Sequence, residues 1–107
     1  MELVRLVEEK VLSVVEKIFA ILDGKTDYHS FEIQLKKELD SLGCDLLGYV
    51  IETLKQKIEE EAKGDPNWKR IRKNDRKEIL TLFGPIVYYR SYYQHRENKK
   101  YTYLVDQ

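Results

Sequence analysis

Among its 107 residues this chain has one cysteine, one tryptophan, two prolines and a formal net charge of zero. A lone Cys44 excludes an internal disulfide and a four-thiolate zinc site. Apolar runs stay far short of the ~18–20 residues that a membrane-spanning helix needs. The opening Met1-Glu2-Leu3-Val4-Arg5 lacks the basic segment, apolar stretch and cleavage site of a secretory signal, so a cytoplasmic protein without a membrane partner is expected. There is no phosphate-cradling glycine loop, nucleophile elbow or zincin pattern. His29 and His95 lie far apart, and neither has a ligand-forming residue at metal-binding spacing. The expectation is a chain that is no enzyme, with no metal, cofactor or small-molecule substrate. What is present is 42% hydrophobic and 36% charged residues, the balance of a folded domain rather than a disordered chain.

The zero net charge is a cancellation. Gly64-Asp65-Pro66-Asn67 is the clearest breaker cluster in the sequence. Before it, residues 1–64 hold 9 Lys and Arg against 14 Asp and Glu, a net charge of −5. After it, residues 65–107 hold 10 against 5, a net charge of +5. Such asymmetry points to a polyanion partner or to self-association of complementary surfaces. Aromatic residues divide at the same place: Tyr88, Tyr89, Tyr92, Tyr93, Tyr101 and Tyr103 are six of the eight tyrosines, and Trp68 follows the breaker.

The periodicity predicts an α+β fold. Leu3, Val7, Val11, Val14, Ile18 and Ile21 are among the apolar residues that recur at three- and four-residue steps through the first segment, which Asp23-Gly24-Lys25 ends. The apolar stripe is wider than a two-in-seven seam, so this helix must pack on the chain itself or on a partner. A second helix is expected from near Thr26–Ser30 to about Ala62. At ~1.5 Å per residue it would span roughly 50 Å. Gly43 and Gly48 lie within it and predict a kink or a close helix–helix approach.

After Pro66 the period turns strand-like and predicts a small antiparallel meander of three to four strands. Trp68–Lys73 forms a short strand and Asn74-Asp75 a turn. Lys77–Phe83 and Ile86–Gln94 pair across Gly84-Pro85, which sets Leu82 against Val87 and Leu80 against Tyr89. Both faces of that hairpin are partly apolar, so each is expected to be covered. Tyr92–Gln94 and Tyr101–Leu104 close around Arg96-Glu97-Asn98-Lys99. Residues 1–63 then form an acidic helical segment for packing or oligomerisation, and 64–107 a basic β segment, within one non-catalytic domain.

Six of the nine residues from Lys69 to Lys77 are basic: Lys69, Arg70, Arg72, Lys73, Arg76 and Lys77. One reading is a phosphate-contacting surface, whose affinity falls with salt as counterions are released. The other is an edge strand protected by its charge, or paired with the acidic helices. The tyrosine pairs offer base-stacking platforms only if Tyr88 or Tyr92 shares an open face with Arg90. Otherwise they are ordinary residues of half-buried strands.

Leu80-Thr81-Leu82-Phe83-Gly84, the following strand to Arg90, Tyr92-Tyr93 and Tyr103-Leu104-Val105-Asp106 together resemble the amino-terminal region of ISLre2-type bacterial insertion-sequence transposases, the UPF0236 family. The resemblance covers roughly residues 30–106 and is most specific over 77–106. It implies a non-catalytic module that binds the element's terminal DNA or helps to assemble paired ends. Related transposases carry a Cys-x-x-Cys knuckle in the last turn; Gln94–Lys100 has no cysteine, so no metal is carried over. The family's acidic triad belongs to a core beyond residue 107, and Asp106 is not assigned to it. The DNA contacts expected are Lys69, Arg70, Arg72, Lys73, Arg76 and Lys77, with Arg90, Arg96, Lys99 and Lys100 secondary. The competing expectations are a homo-oligomerisation module built on the helical stripes without DNA contact, and a truncated remnant.

Overall fold

The computed structural model describes residues 2–106. Two helices, α1 (Glu2–Leu22) and α2 (Tyr28–Lys63), precede three strands, β1 (Trp68–Thr81), β2 (Gly84–His95) and β3 (Tyr101–Thr102), and a 3-10 turn, Leu104–Asp106. The fold is α+β, with an antiparallel sheet in the order β1-β2-β3. Two compact units divide the chain. One reaches through Leu47 and takes in Leu80–Gly84; the other holds Gly48–Ile79 and the chain from Pro85 onward.

In the first unit, α1 ends as its sequence predicts. Gly24 adopts a φ of 70°, open to glycine at low cost. The Lys25 amide donates to the Ala20 carbonyl at 2.8 Å, and the Gly24 amide donates to the Ile21 carbonyl at 3.1 Å. These two bonds form a Schellman closure and satisfy carbonyls the helix leaves open. Asp27 then caps α2 by accepting the Ser30 amide at 2.8 Å. The Ser30 bonds hold the Asp27 carboxyl below its ordinary range.

The two helices run antiparallel within this unit, for Lys10 reaches Asp45 (3.9 Å) and Ser41 (2.8 Å), while Lys17 reaches Glu38 (3.5 Å). The α1 positions of intermediate burial include Leu3, Val7, Lys10, Val14, Lys17 and Ile21, the line that faces α2. No described α1 residue is fully buried.

No break interrupts α2 from Tyr28 to Lys63. The close approach expected at Gly43 exists, but its partner is the β-hairpin tip rather than a helix. A Cβ added at Gly43 would collide with the Phe83 ring. Gly48 faces open space.

The hairpin turn differs from the sequence expectation. Leu82 and Phe83 form the turn, and Gly84 already belongs to β2. The Thr81 hydroxyl decides this position by accepting the Phe83 amide at 3.1 Å and donating to the Gly84 carbonyl at 2.7 Å. Pro85, lacking an N–H, is tolerated beside the strand start. The expected Leu82–Val87 and Leu80–Tyr89 pairs therefore do not form the inner face: Leu80 and Leu82 are 85% and 98% exposed.

In the second unit, β1 continues through Asn74-Asp75, where a turn was expected. Asn74 takes a φ of 63° inside the strand, a conformation asparagine tolerates better than most residues, and the signature of a bulge. The extra residue shifts side-chain parity. Arg72 and Asp75, three apart, consequently meet on one side.

Strand β2 changes its buried face along its length, and Val87 and Tyr89 stay exposed opposite the first buried pair. Ile86 and Tyr88 are buried in one alternation, then Ser91 and Tyr93 in the other. Ser91 donates to Glu59 of α2 at 2.7 Å. On the opposite face, the Tyr88 hydroxyl donates to Asp106 at 2.9 Å, and Arg90 ion-pairs with the same carboxylate. The last pairing is shorter than predicted, with Tyr93 opposite Thr102 and Gln94 opposite Tyr101, before the chain turns into Leu104–Asp106.

Candidate nucleic-acid interface

Three of the ten basic candidates already hold carboxylates. Arg72 donates from Nε to Asp75 at 2.6 Å, and Arg76 reaches Glu78 at 3.0 Å. Arg90, with its side chain only 12% exposed, pairs with Asp106 and lies 3.6 Å from the Tyr103 ring centre. The first two pairs lie within β1, and the third joins β2 to the terminal segment. Lys69, Arg70, Lys73, Lys77, Arg96, Lys99 and Lys100 make no ion pair among the described residues.

Two of these, Arg72 and Arg90, belong to an aromatic ladder. Arg72 lies 4.5 Å above the Tyr92 ring, which stacks on Tyr101 at 5.4 Å and tilts against Tyr103 at 4.7 Å. The Tyr103 hydroxyl donates to Asp75 at 2.9 Å and accepts from Arg72 at 3.3 Å. Burial works to raise the Asp75 carboxyl, but Tyr103 and Arg72 together hold it below its ordinary range, and the same bonds push Arg72 up. Tyr92 does share a face with Arg90, as a stacking platform requires, yet its ring is occupied by residues of this chain. Tyr88 is buried and bound to Asp106. Asp75, Tyr103 and Asp106 are the residues that the sequence reading left out of this arrangement.

Seven of the ten candidates thus have no ion pair among the described residues, and backbone geometry joins them in two groups. Lys69, Arg70 and Lys73 lie in the exposed opening stretch of β1, while Lys77 is half-buried. Arg96, Lys99 and Lys100 occupy the exposed turn after β2. That turn is held by His95 and Lys100 amide–carbonyl pairing at 2.8 Å, by the Lys99 amide donating to the His95 carbonyl at 2.9 Å, and by Asn98 accepting the Lys100 amide at 2.9 Å. The Arg96 amide donates to the Asn67 carbonyl at 2.8 Å, which ties the turn to the start of β1. Trp68 packs edge-on against His95 at 4.9 Å at the same junction.

A cleft of about 480 Å³ opens there, lined by Ala62, Trp68 and Tyr93, by the basic Lys63, Lys69, Arg70 and Arg96, and by the acidic Glu59 and Glu60. Burial and then the nearby Glu59 carboxylate push the Tyr93 hydroxyl above its ordinary range, so it stays protonated. No group of three or more His, Cys, Asp or Glu among the described residues could hold a metal ion. No helix among them is long and apolar enough to cross a membrane.

Residues 9–107 match the model of the uncharacterised protein family UPF0236. The chain belongs to this family. A UPF0236 protein of Caldanaerobacter subterraneus subsp. tengcongensis is 32% identical over 93 residues, 87% of this chain and 20% of that protein. A second UPF0236 protein from the same organism is 37% identical over 73 residues, 68% of this chain and 15% of its own length. The chain thus spans about a fifth or less of the curated relatives it matches. The second relative carries eleven locus designations in that one genome, and another carries four. No solved structure matches this chain.

Proposed function

We propose that this UPF0236 chain is the non-catalytic amino-terminal module of a transposase-like protein, working in the cytoplasm and binding DNA through its β segment. The observation that carries the reading is the set of seven candidate cations without an ion pair among the described residues, six of which the Asn67–Arg96 bond gathers onto the β1 opening and the β2–β3 turn. Cations free of internal carboxylates are available to phosphate oxygens without first breaking an ion pair. Contacts of this kind position a protein on a duplex and carry no base sequence themselves. The eleven loci borne by one relative support the same reading, since an element that copies itself leaves its coding sequence at many places in a genome.

A salt titration of duplex binding tests this reading. If all seven cations engage phosphates, the logarithm of the binding constant falls with log salt at a slope approaching about −6. Replacing Lys69, Arg70 and Lys73 with alanine removes about 3 from that slope, and replacing Arg96, Lys99 and Lys100 removes a similar amount. Lys36→Ala, on α2, leaves the slope unchanged. Binding that ignores salt, or survives both triple replacements, refutes the assignment.

A further inference from the structure

The outward face of α1 is a second seam. Val4, Glu8, Val11, Val15, Ile18 and Leu22 recur at alternating four- and three-residue steps, the spacing of a helix–helix seam. The seam is offset by one residue from the line that faces α2, so the two faces of α1 lie about 100° apart. Its apolar members are open to solvent, from 36% exposed at Val15 to 73% at Leu22, with Leu12 (62%) and Phe19 (57%) along one flank. A run of apolar side chains this long and regular exceeds the scattered exposure ordinary on a protein surface.

Two charges bear on the occupant, Arg5 near the start of α1 and Asp23 just past its last residue. Arg5 and Asp23 are both exposed, and neither side chain makes an ion pair among the described residues. They are eighteen residues apart, five helical turns at 3.6 residues each, and so stand on the same side of the stripe at its two ends. The flank they share is the one that carries Leu12 and Phe19. A second α1 laid antiparallel, with the symmetry axis near Val14, sets Arg5 of each copy beside Asp23 of the other. The complementarity is satisfied twice by one two-fold axis. Parallel pairing would instead oppose the two Glu8 side chains within the seam, whereas the antiparallel arrangement separates them by about 18 Å, beyond the screening length at physiological salt. It leaves the exposed Glu9 and Glu16 of opposite copies as neighbours only on the outer edge of the flank, so that added salt strengthens the pairing.

We propose that the outward seam of α1 pairs antiparallel with the same seam of a second copy of this chain. The resulting dimer is closed and two-fold symmetric, so it presents two β segments to two DNA segments. The proposal does not depend on those segments binding DNA.

Light scattering of the full chain at about 50 µM is expected to report a dimer, and Val11→Asp with Ile18→Asp a monomer of unchanged helix content. Arg5→Asp or Asp23→Arg alone is expected to weaken the dimer about fivefold or more, and the Arg5→Asp/Asp23→Arg double swap to restore it. With Cys44→Ser, chains bearing Val4→Cys are expected to form disulfides with chains bearing Leu22→Cys when the two are mixed. A wild-type monomer at that concentration overturns the proposal. So does a double swap that fails to recover pairing, or Val4→Cys chains that link only to one another.

Discussion

Gly43→Ala is predicted to destabilise the protein although it improves the helix. In an exposed helix interior this substitution gains about 1 kcal/mol of backbone propensity. At this position the new methyl group would strike the Phe83 ring, because the hairpin tip lies directly against the buried Gly43. Overpacking of that kind costs about 1–3 kcal/mol. The net loss is about 1 kcal/mol, or roughly 4–8 °C in Tm for a chain of this size. Phe83→Ala alone costs less than the ~3–5 kcal/mol of a fully buried phenylalanine, for its residue is 42% exposed. It also removes the obstacle. In the Phe83→Ala background, Gly43→Ala should therefore become stabilising by up to about 1 kcal/mol, a coupling of about 2 kcal/mol between the two sites. Urea denaturation of the four proteins of this cycle, at one fixed protein concentration, measures it. A stabilising Gly43→Ala in the wild-type background refutes the packing argument, and so does an effect of equal size and sign in both backgrounds.

Arg90→Leu is predicted to lower stability by about 2 kcal/mol or more, because it strands a partly buried Asp106 carboxylate, whereas Lys99→Ala shifts stability by less than about 0.5 kcal/mol; denaturant midpoints compare them. Asp27 and Asp75 both have lowered carboxyl pKa values in the folded chain, so the unfolded chain binds protons first as pH falls. The stability they contribute is complete above the ordinary carboxylate pKa near 3.8 and is lost as pH drops through the lower folded values; Asp75→Asn should flatten part of that acid limb in thermal melts. Tyr93 has the opposite behaviour. Its raised hydroxyl pKa means that the unfolded chain ionises first above pH 10, so stability falls on the alkaline side, and Tyr93→Phe should remove that contribution.

The elements legible in the sequence were those governed by local physics. The three-four spacing from Leu3 to Leu22 and the Asp23-Gly24-Lys25 terminator define α1, and the β-branched and aromatic run after Pro85 defines β2. The expectation that both faces of the hairpin be covered does not hold, since Leu80, Leu82, Val87 and Tyr89 all stay exposed on one side of it. The turn was misplaced because Gly84-Pro85 is the stronger dipeptide signal, while the Thr81 hydroxyl that fixes Leu82-Phe83 acts only once the chain has folded back. Asn74 signalled a left-handed residue, but a left-handed residue serves a bulge as well as a turn.

At the candidate interface, the basic run was plain. Which of its members are free was not, because Asp106, which occupies Arg90, approaches from sixteen residues further along the chain. The Arg72–Tyr92–Tyr103–Arg90 ladder likewise needs β1, β2 and the terminal segment in place together. No local periodicity encodes such an encounter.

The change of buried alternation at Arg90-Ser91 has a consequence for how this sequence can drift or be engineered. With α2 claiming one side of β2 and the terminal segment the other, losing or gaining a single residue between Tyr89 and Tyr92 would hand each partner the other's side chains. Asp106 would then meet serine instead of arginine, and Glu59 would meet the arginine. Point changes there can be absorbed one contact at a time, but length changes cannot. The opening of β1 is exposed from Lys69 to Asn74, yet it too is committed at Arg72, which holds Asp75 and lies over the Tyr92 ring. A length change on either side of Arg72 would break that pairing in the same way, so both strands tolerate exchange of side chains better than a change of count.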